Sequence, residues 1–230
     1  MSIYFLVLNM NKNPERYENI TSMLNKTGCL FSRIEAIDGS SIEYNKDCKQ
    51  ILKCRPHLLN NTFKCISSNE EWVYDGGPAT SFPGLNLHGH QGTKGLTLSN
   101  LKAFEKARQM DYNWYCILED DAEITKEIYD KLLAFINNEK TRDTDMVLLD
   151  VRNYGFGGTA GMLYNKKILE CLIKDLHPLS EFSLHMEEKH GLCNLWDWKL
   201  WTYLKHGNPS IKIQNLPCIP CADFASTING

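Results

Sequence analysis

Residues 3–9, Ile-Tyr-Phe-Leu-Val-Leu-Asn, form an unbroken apolar run that ends on an amide. A run of that length without polar alternation suits a strand covered on both faces, the kind found in parallel sheets. Pro14 follows, and Tyr17, Ile20 and Leu24 then recur at helical spacing. A helix therefore begins near Pro14, where the missing backbone N–H belongs to a position that has no partner within the helix anyway. Residues 30–37 alternate as a second strand and stop at Asp38-Gly39. Strand, helix and strand in succession make a βαβ opening, which predicts an α/β protein with parallel strands.

From about Ser40 to Lys94 the periodicity dissolves into Asp75-Gly76-Gly77-Pro78, Phe82-Pro83-Gly84 and His88-Gly89-His90. A loop of that length is uncommon inside a compact domain, so short elements and a functional flap are expected there. Regularity returns with a helix on Leu98, Leu101, Phe104 and Ala107 and a strand over 114–118. A helix over 124–137, a strand over 146–149, a short strand over 160–164 and a helix over 165–176 follow. An aromatic-rich helix over 192–206 and a last strand over 211–216 complete the chain. The 230 residues read as one domain carrying an irregular insertion at about 40–94.

The net charge of −3 argues against a nucleic-acid partner, which requires a basic face. The apolar opening is too short for a membrane span and has neither a basic flank nor a cleavage site, so no integral membrane segment is expected. Without an export signal, the nine cysteines read as reduced thiols in a cytoplasmic protein, packed mostly as small hydrophobes. Cys218 and Cys221 form a single CxxC with no second pair, which makes a poor zinc site. The sequons beginning at Asn19, Asn25 and Asn60 then have no use as glycan acceptors.

The strongest chemical signal is Ile117-Leu118-Glu119-Asp120-Asp121, an apolar strand running into three consecutive carboxylates. Adjacent like charges at a strand end repel and lose solvent, and a hard divalent cation compensates them. In open α/β sheets, strand carboxyl ends are also where ligands bind. The same triplet fits equally well as an acidic cap on the helix that follows. The polar turn Asn9-Met10-Asn11-Lys12-Asn13-Pro14-Glu15-Arg16 offers amides and a cation to a nucleotide or its diphosphate, or is an ordinary turn. Trp196-Asp197-Trp198 combines aromatic faces with a carboxylate, as sugar recognition does, and also fits a helix with an aromatic core stripe. No Gly-x-Ser-x-Gly nucleophile elbow is present.

Taken in order, these segments resemble glycosyltransferase family 25, which includes bacterial lipooligosaccharide and eukaryotic collagen galactosyltransferases. Val7-Leu8-Asn9 with Pro14-Glu15-Arg16 is similar to the family's opening, and Arg33-Ile34-Glu35-Ala36-Ile37-Asp38-Gly39 to its R-x-x-A-x-D-G block. Gly95 to Ala107 resembles its G-x-x-x-S-H-x-x-x-W-x-x-A helix, with Asn100 in place of the histidine. Leu118-Glu119-Asp120-Asp121 matches L-E-D-D, and Gly158 to Tyr164 is similar to G-T-x-G-Y. Asp197 stands where the family has a late aspartate. The likeness runs from residue 4 to about 204, with a weaker echo in Ala225-Ser226-Thr227-Ile228, and leaves residues 48–92 unmatched.

The resemblance implies a GT-A fold, a Rossmann-like, mainly parallel sheet flanked by helices. It implies transfer of a hexose, galactose or glucose, from a UDP-sugar to a hydroxyl of a glycan, lipid-linked glycan or protein, with inversion. Mn²⁺ or Mg²⁺ would be held by Asp121 with Glu119, while Asp120 meets ribose or sugar hydroxyls. Arg16 and Asn9 would serve the diphosphate, Ala36 and Asp38 the base and ribose, and Ser99, Asn100 and Trp196 the donor. Asp197 would be the base. Two other functions fit the residues: a nucleotidyltransferase on the same fold, and a sugar-binding protein that has lost turnover.

Overall fold

The computed structural model describes residues 2–38, 43–44, 54–56, 62–65, 71–75, 91–152, 159–177, 180–182 and 196–221. In chain order the elements are β1 (Ile3–Asn9), α1 (Pro14–Thr27), β2 (Leu30–Glu35), β3 (Glu43–Tyr44), β4 (Cys54–Pro56), β5 (Thr62–Cys65) and β6 (Glu71–Asp75). Then come α2 (Gln91–Arg108), β7 (Trp114–Glu119), α3 (Lys126–Ile136), β8 (Met146–Asp150), β9 (Gly161–Asn165), α4 (Leu169–Asp175), α5 (Trp196–Thr202) and β10 (Ile213–Ile219).

The chain divides into two compact units. Met1–Ala36, Ala103–Glu170 and Asn208–Ala225 form the first, and Ile37–Lys102, Cys171–Gly207 and Ser226–Gly230 the second.

The first unit holds a six-stranded sheet in the order β10-β8-β9-β7-β1-β2. β9 is antiparallel to both its neighbours and every other pair is parallel, giving the mixed, mainly parallel α/β sheet that was expected. The apolar run of β1 is buried on both faces, which explains its lack of alternation. Ile3, Phe5 and Val7 join Ile20 and Leu24 of α1, Ile128, Leu132 and Ile136 of α3, and Cys116 and Leu118 of β7 in one core. Each such side chain contributes roughly 1.5–3 kcal/mol by leaving water. Pro14 opens α1, and Gly28, with φ of 73° in the left-handed region, closes it. Thr125 caps α3 by accepting from the Ile128 N–H.

Element boundaries differ from expectation for local reasons. The helix read over 165–176 starts as a 3₁₀ turn, Lys166–Ile168, because the Asn165 side chain accepts from the Lys167 N–H. The last strand continues past Pro217 to Ile219. β10 is an edge strand whose register shifts between Asn215 and Ile219, and a proline is tolerated in such a gap.

In the second unit, β3 to β6 form an antiparallel sheet in the order β3-β6-β5-β4. Its strands are two to five residues long, too short to reveal a period in the sequence. The aromatic helix expected over 192–206 is α5 followed by a π turn, Tyr203–Gly207; residues 192–195 lie outside the described residues. The Tyr203 hydroxyl donates to Asp175 Oδ2 at 2.7 Å and its ring meets Phe182 edge-on. Among the described residues no helix is long and apolar enough to cross a membrane. Cys29, Cys116, Cys171, Cys218 and Cys221 are free thiols.

Candidate active site

β1, β2, β7, β8 and β10 run in the same direction, so Asn9, Glu35, Glu119, Asp150 and Ile219 all end at one edge of the first unit's sheet. β1 and β7 pair with Leu8 opposite Glu119, which brings Asn9 level with the carboxylates that follow β7.

Asn9 is the hub of this edge and is 1% exposed. Its Nδ2 donates to Asp120 Oδ2 at 2.6 Å and to the Asn13 carbonyl at 2.9 Å. Its Oδ1 accepts from Arg33 Nη2 at 2.6 Å, and its carbonyl accepts from the Ala36 N–H at 3.0 Å. The Arg33 guanidinium lies over the Tyr17 ring at 5.0 Å. Arg16, also buried, places Nη1 3.4 Å from Asp120 Oδ1. Both oxygens of Asp120 are therefore bound within the protein. Burial pushes the Asp120 carboxyl up, while the Asn9 hydrogen bond and the Arg16 charge pull it back.

Asp121 is in the opposite condition. Its Oδ1 is buried and has no hydrogen-bond partner among the described residues. Burial raises its carboxyl, the Asp120 charge raises it further, and Arg152 and Arg16 oppose them. Glu119 accepts from Thr159 Oγ1 at 3.1 Å, and its N–H donates to the Ala160 carbonyl at 2.9 Å. Next along the edge, Asp150 is fully buried yet well satisfied. It accepts from the Arg152 N–H, Nε and Nη2 at 2.8, 3.1 and 2.8 Å, and from the Ala160 N–H at 3.1 Å. That pairing holds the Arg152 guanidinium firmly protonated. Burial, reinforced by the charges of Asp121 and Asp150, drives the Cys221 thiol up to about 12, which disfavours the thiolate at neutral pH.

Of the sequence-predicted site residues, Asn9, Arg16, Glu119, Asp120 and Asp121 meet on this edge, and Ala36 joins it through Asn9. Asp38, Ser99, Asn100, Trp196 and Asp197 belong to the second unit. There Ser99 Oγ donates to the Gly95 carbonyl at 2.6 Å and accepts from the Ile37 N–H at 2.8 Å, anchoring the segment that carries Asp38. Asn100 Nδ2 donates to the Leu96 carbonyl at 3.0 Å within its own helix. Trp196 is buried, and Asp197 is half-buried in the first turn of α5. His88, His90, Gly158, the Trp198 side chain and residues 225–228 lie outside the described residues. Among the described residues no group of three or more His, Cys, Asp or Glu is gathered so as to hold a metal ion.

Sequence reasoning assigned no role to Arg33, Asp150, Arg152 or Thr159. The available signal was Leu149-Asp150-Val151-Arg152, a second buried strand running into a carboxylate, this time with its own counterion two residues on.

The profile of Glycosyltransferase family 25 (LPS biosynthesis protein) matches residues 2–165, from β1 to the end of β9. No curated protein matches the chain in sequence. Among solved structures, the chain is similar to a glycosyltransferase involved in the glycosylation of the major capsid of PBCV-1, at 11% identity and a TM-score of 0.47, over 94% of this chain and 82% of that one. It is also similar to the apo form of the glycosyltransferase GlyE of Streptococcus pneumoniae TIGR4, at 11% identity and a TM-score of 0.47, over 93% of this chain and 45% of that one. With most of its length matched, including the strand ends that carry Asn9, Glu119 and Asp150, the chain belongs to glycosyltransferase family 25 and is a glycosyltransferase.

Proposed function

We propose that the chain moves a hexose, galactose or glucose, from a UDP-sugar to a hydroxyl of a glycan, lipid-linked glycan or protein, with inversion and with Mn²⁺ or Mg²⁺ bound. The observation that carries this reading is Asp121 Oδ1, a buried carboxylate oxygen without a hydrogen-bond partner among the described residues, two residues from Glu119 at the carboxyl edge of a family 25 sheet. A divalent cation would supply what Asp121 lacks. Mg²⁺-type sites commonly use one or two carboxylates and complete their shell with water and substrate phosphates, so Asp121 and Glu119 suffice as protein ligands. When bound, such a cation neutralises the charge that grows on the departing diphosphate.

The protein's own groups do the rest. Thr159 orients Glu119, and the Asn9–Asp120–Arg16 cluster fixes the backbone from which Asp121 projects. Ala36, bonded to Asn9, and Asp38 serve the base and ribose, and Ser99, Asn100 and Trp196 the donor. As the acceptor oxygen bonds to the anomeric carbon and UDP leaves, Asp197 takes the hydroxyl proton.

Calorimetric titration of UDP with and without Mn²⁺ tests the reading on the wild-type protein and Asp121→Ala. Mn²⁺ should strengthen UDP binding in the wild type and have no effect in the variant. Equal, metal-independent affinity in both proteins overturns it. With a panel of UDP-sugars, release of UDP supports glycosyl transfer, whereas no UDP release together with conversion of UTP and a sugar 1-phosphate into a UDP-sugar and pyrophosphate identifies a nucleotidyltransferase.

A further inference from the structure

We propose that Arg152 is the residue that receives the donor's diphosphate, a role that sequence resemblance assigns to Arg16; the proposal rests on the UDP-sugar reading above. Arg16 is poorly placed for it. Its side chain is 10% exposed and is engaged with Asp120, so a phosphate could recruit it only by breaking a buried ion pair. Arg152 has the opposite properties. Its side chain is 52% exposed, while the carboxylate that holds it is fully buried. Nε and Nη2 form a two-point fork onto Asp150, and Nη1 donates to no group among the described residues. A guanidinium anchored on one side and open on the other is pre-organised, so it loses little side-chain freedom when it grips a second anion.

Charge supports the same assignment. Arg16 and Asp120 cancel each other within the hub, and Arg33 and Glu35 offset each other at the end of β2. Glu119, Asp121 and Asp150 then leave this edge with two more negative charges than Arg152 neutralises, a field that repels a nucleoside diphosphate. One divalent cation on Asp121 and Glu119 cancels the remainder, and only with Arg152 also present does the edge stop repelling phosphate. Ala160 links them: its N–H donates to Asp150, the carboxylate that holds Arg152, at 3.1 Å, and its carbonyl accepts from the Glu119 N–H at 2.9 Å. Arg152 and the proposed cation site are therefore neighbours, as two contacts to a single diphosphate must be.

The test uses the whole chain with Mn²⁺ and three probes: UDP, inorganic pyrophosphate and uridine. UDP and pyrophosphate are titrated by calorimetry, and uridine is followed by ligand-observed NMR. Arg152→Gln should weaken UDP and pyrophosphate by about ten- to a hundredfold, the loss of one charge-assisted contact, and leave uridine unchanged. Arg152→Lys keeps the charge but not the fork and should fall between. A purely structural role would move uridine and UDP together. Because Arg152→Gln strips donors from buried Asp150, the paired variant Asp150→Asn with Arg152→Gln serves where the single variant unfolds, and it should show the same contrast. Wild-type UDP affinity in folded Arg152→Gln or in the paired variant overturns the assignment. Absence of UDP binding in the wild-type protein overturns the UDP-sugar reading itself.

Discussion

Asn9 Nδ2 lies 2.6 Å from Asp120 Oδ2, although 111 residues separate the two in the chain. The contact follows from the pairing of β1 with β7, which stops one residue short of Asn9 and leaves its amide facing the loop that carries the carboxylates. Through Asn9, Asp120 is tied both to the opening turn and to Arg33, and Asp121 is left as the carboxylate with an uncommitted oxygen.

Asn9→Asp should therefore be strongly destabilising. The change keeps an acceptor for Arg33 but removes the amide donor to Asp120 and sets a second buried charge against it. An orphaned buried acceptor costs about 1–3 kcal/mol, more when charged, so a loss of about 2–4 kcal/mol is expected. Urea unfolding at pH 7 measures it. A change within about 0.5 kcal/mol of wild type, the range of ordinary surface substitutions, would show that the hub carries no stability.

Gly161 marks a second constraint on the same edge. It pairs with Leu118, next to Glu119, and a Cβ there would stand 2.6 Å from Ile219 Cδ1 and 3.3 Å from both Cβ and Cγ2 of the same residue. Ile219 is fully buried at the end of β10. Gly161→Ala should cost about 1–3 kcal/mol by overpacking. Adding Ile219→Val, which removes the Cδ1 atom, should recover part of that loss, and a double-mutant cycle by thermal unfolding reads the coupling. Strict additivity of the two changes would mean that the close approach is not the cause.

The early elements were legible because local physics determines them. The buried run of β1, the proline that opens α1, and the acidic end of β7 each carry their own signal. The strand order was not legible, since nothing within Gly161–Asn165 announces that β9 inserts antiparallel between β7 and β8. Nor could the sequence apportion the carboxylates. Asp120 and Asp121 are adjacent and chemically alike, and only contacts from Asn9 and Arg16, more than a hundred residues away, satisfy one of them. Arg152 was passed over because an arginine after a strand looks like an ordinary solvated charge. The Asp150 carboxylate that anchors it is buried only by the packing of β8, and the Ala160 N–H reaches it from ten residues further along the chain.

His177 should make the second unit sensitive to acid. Burial, with a further push from the Lys199 charge, lowers its pKa to about 3, whereas an exposed histidine titrates near 6.5. Between those values the unfolded chain binds a proton that the folded chain refuses. The histidine's contribution to stability is thus complete above about 6.5 and is lost as pH falls towards 3, by at most about 1.4 kcal/mol per pH unit. The raised carboxyls of Asp120 and Asp121 act in the opposite sense, favouring the fold as they protonate, so wild type alone is ambiguous. Comparison with His177→Gln, which cannot charge, isolates the effect. Urea midpoints between pH 4.5 and 7 should fall more steeply with acid for wild type than for the variant. Parallel slopes would mean that the imidazole is not held neutral.

Asp197 is proposed to take the acceptor's proton because it is a half-buried carboxylate in the first turn of α5, next to buried Trp196. The same position would also serve to hold a hydroxyl of the donor sugar, and Asp197→Asn separates the two roles. Asparagine keeps the size and an acceptor oxygen but takes no proton at neutral pH. A base replaced in this way should lose on the order of 10²- to 10⁴-fold in turnover, with donor affinity barely altered, because proton transfer contributes in the transition state rather than in the ground state. A donor ligand should instead show weaker UDP-sugar binding and near-normal turnover at saturation. Titration of the UDP-sugar against both proteins, with turnover measured at saturating donor, reads both quantities. Near-normal kcat with a raised KM would remove Asp197 from proton transfer and make it a residue that selects the sugar.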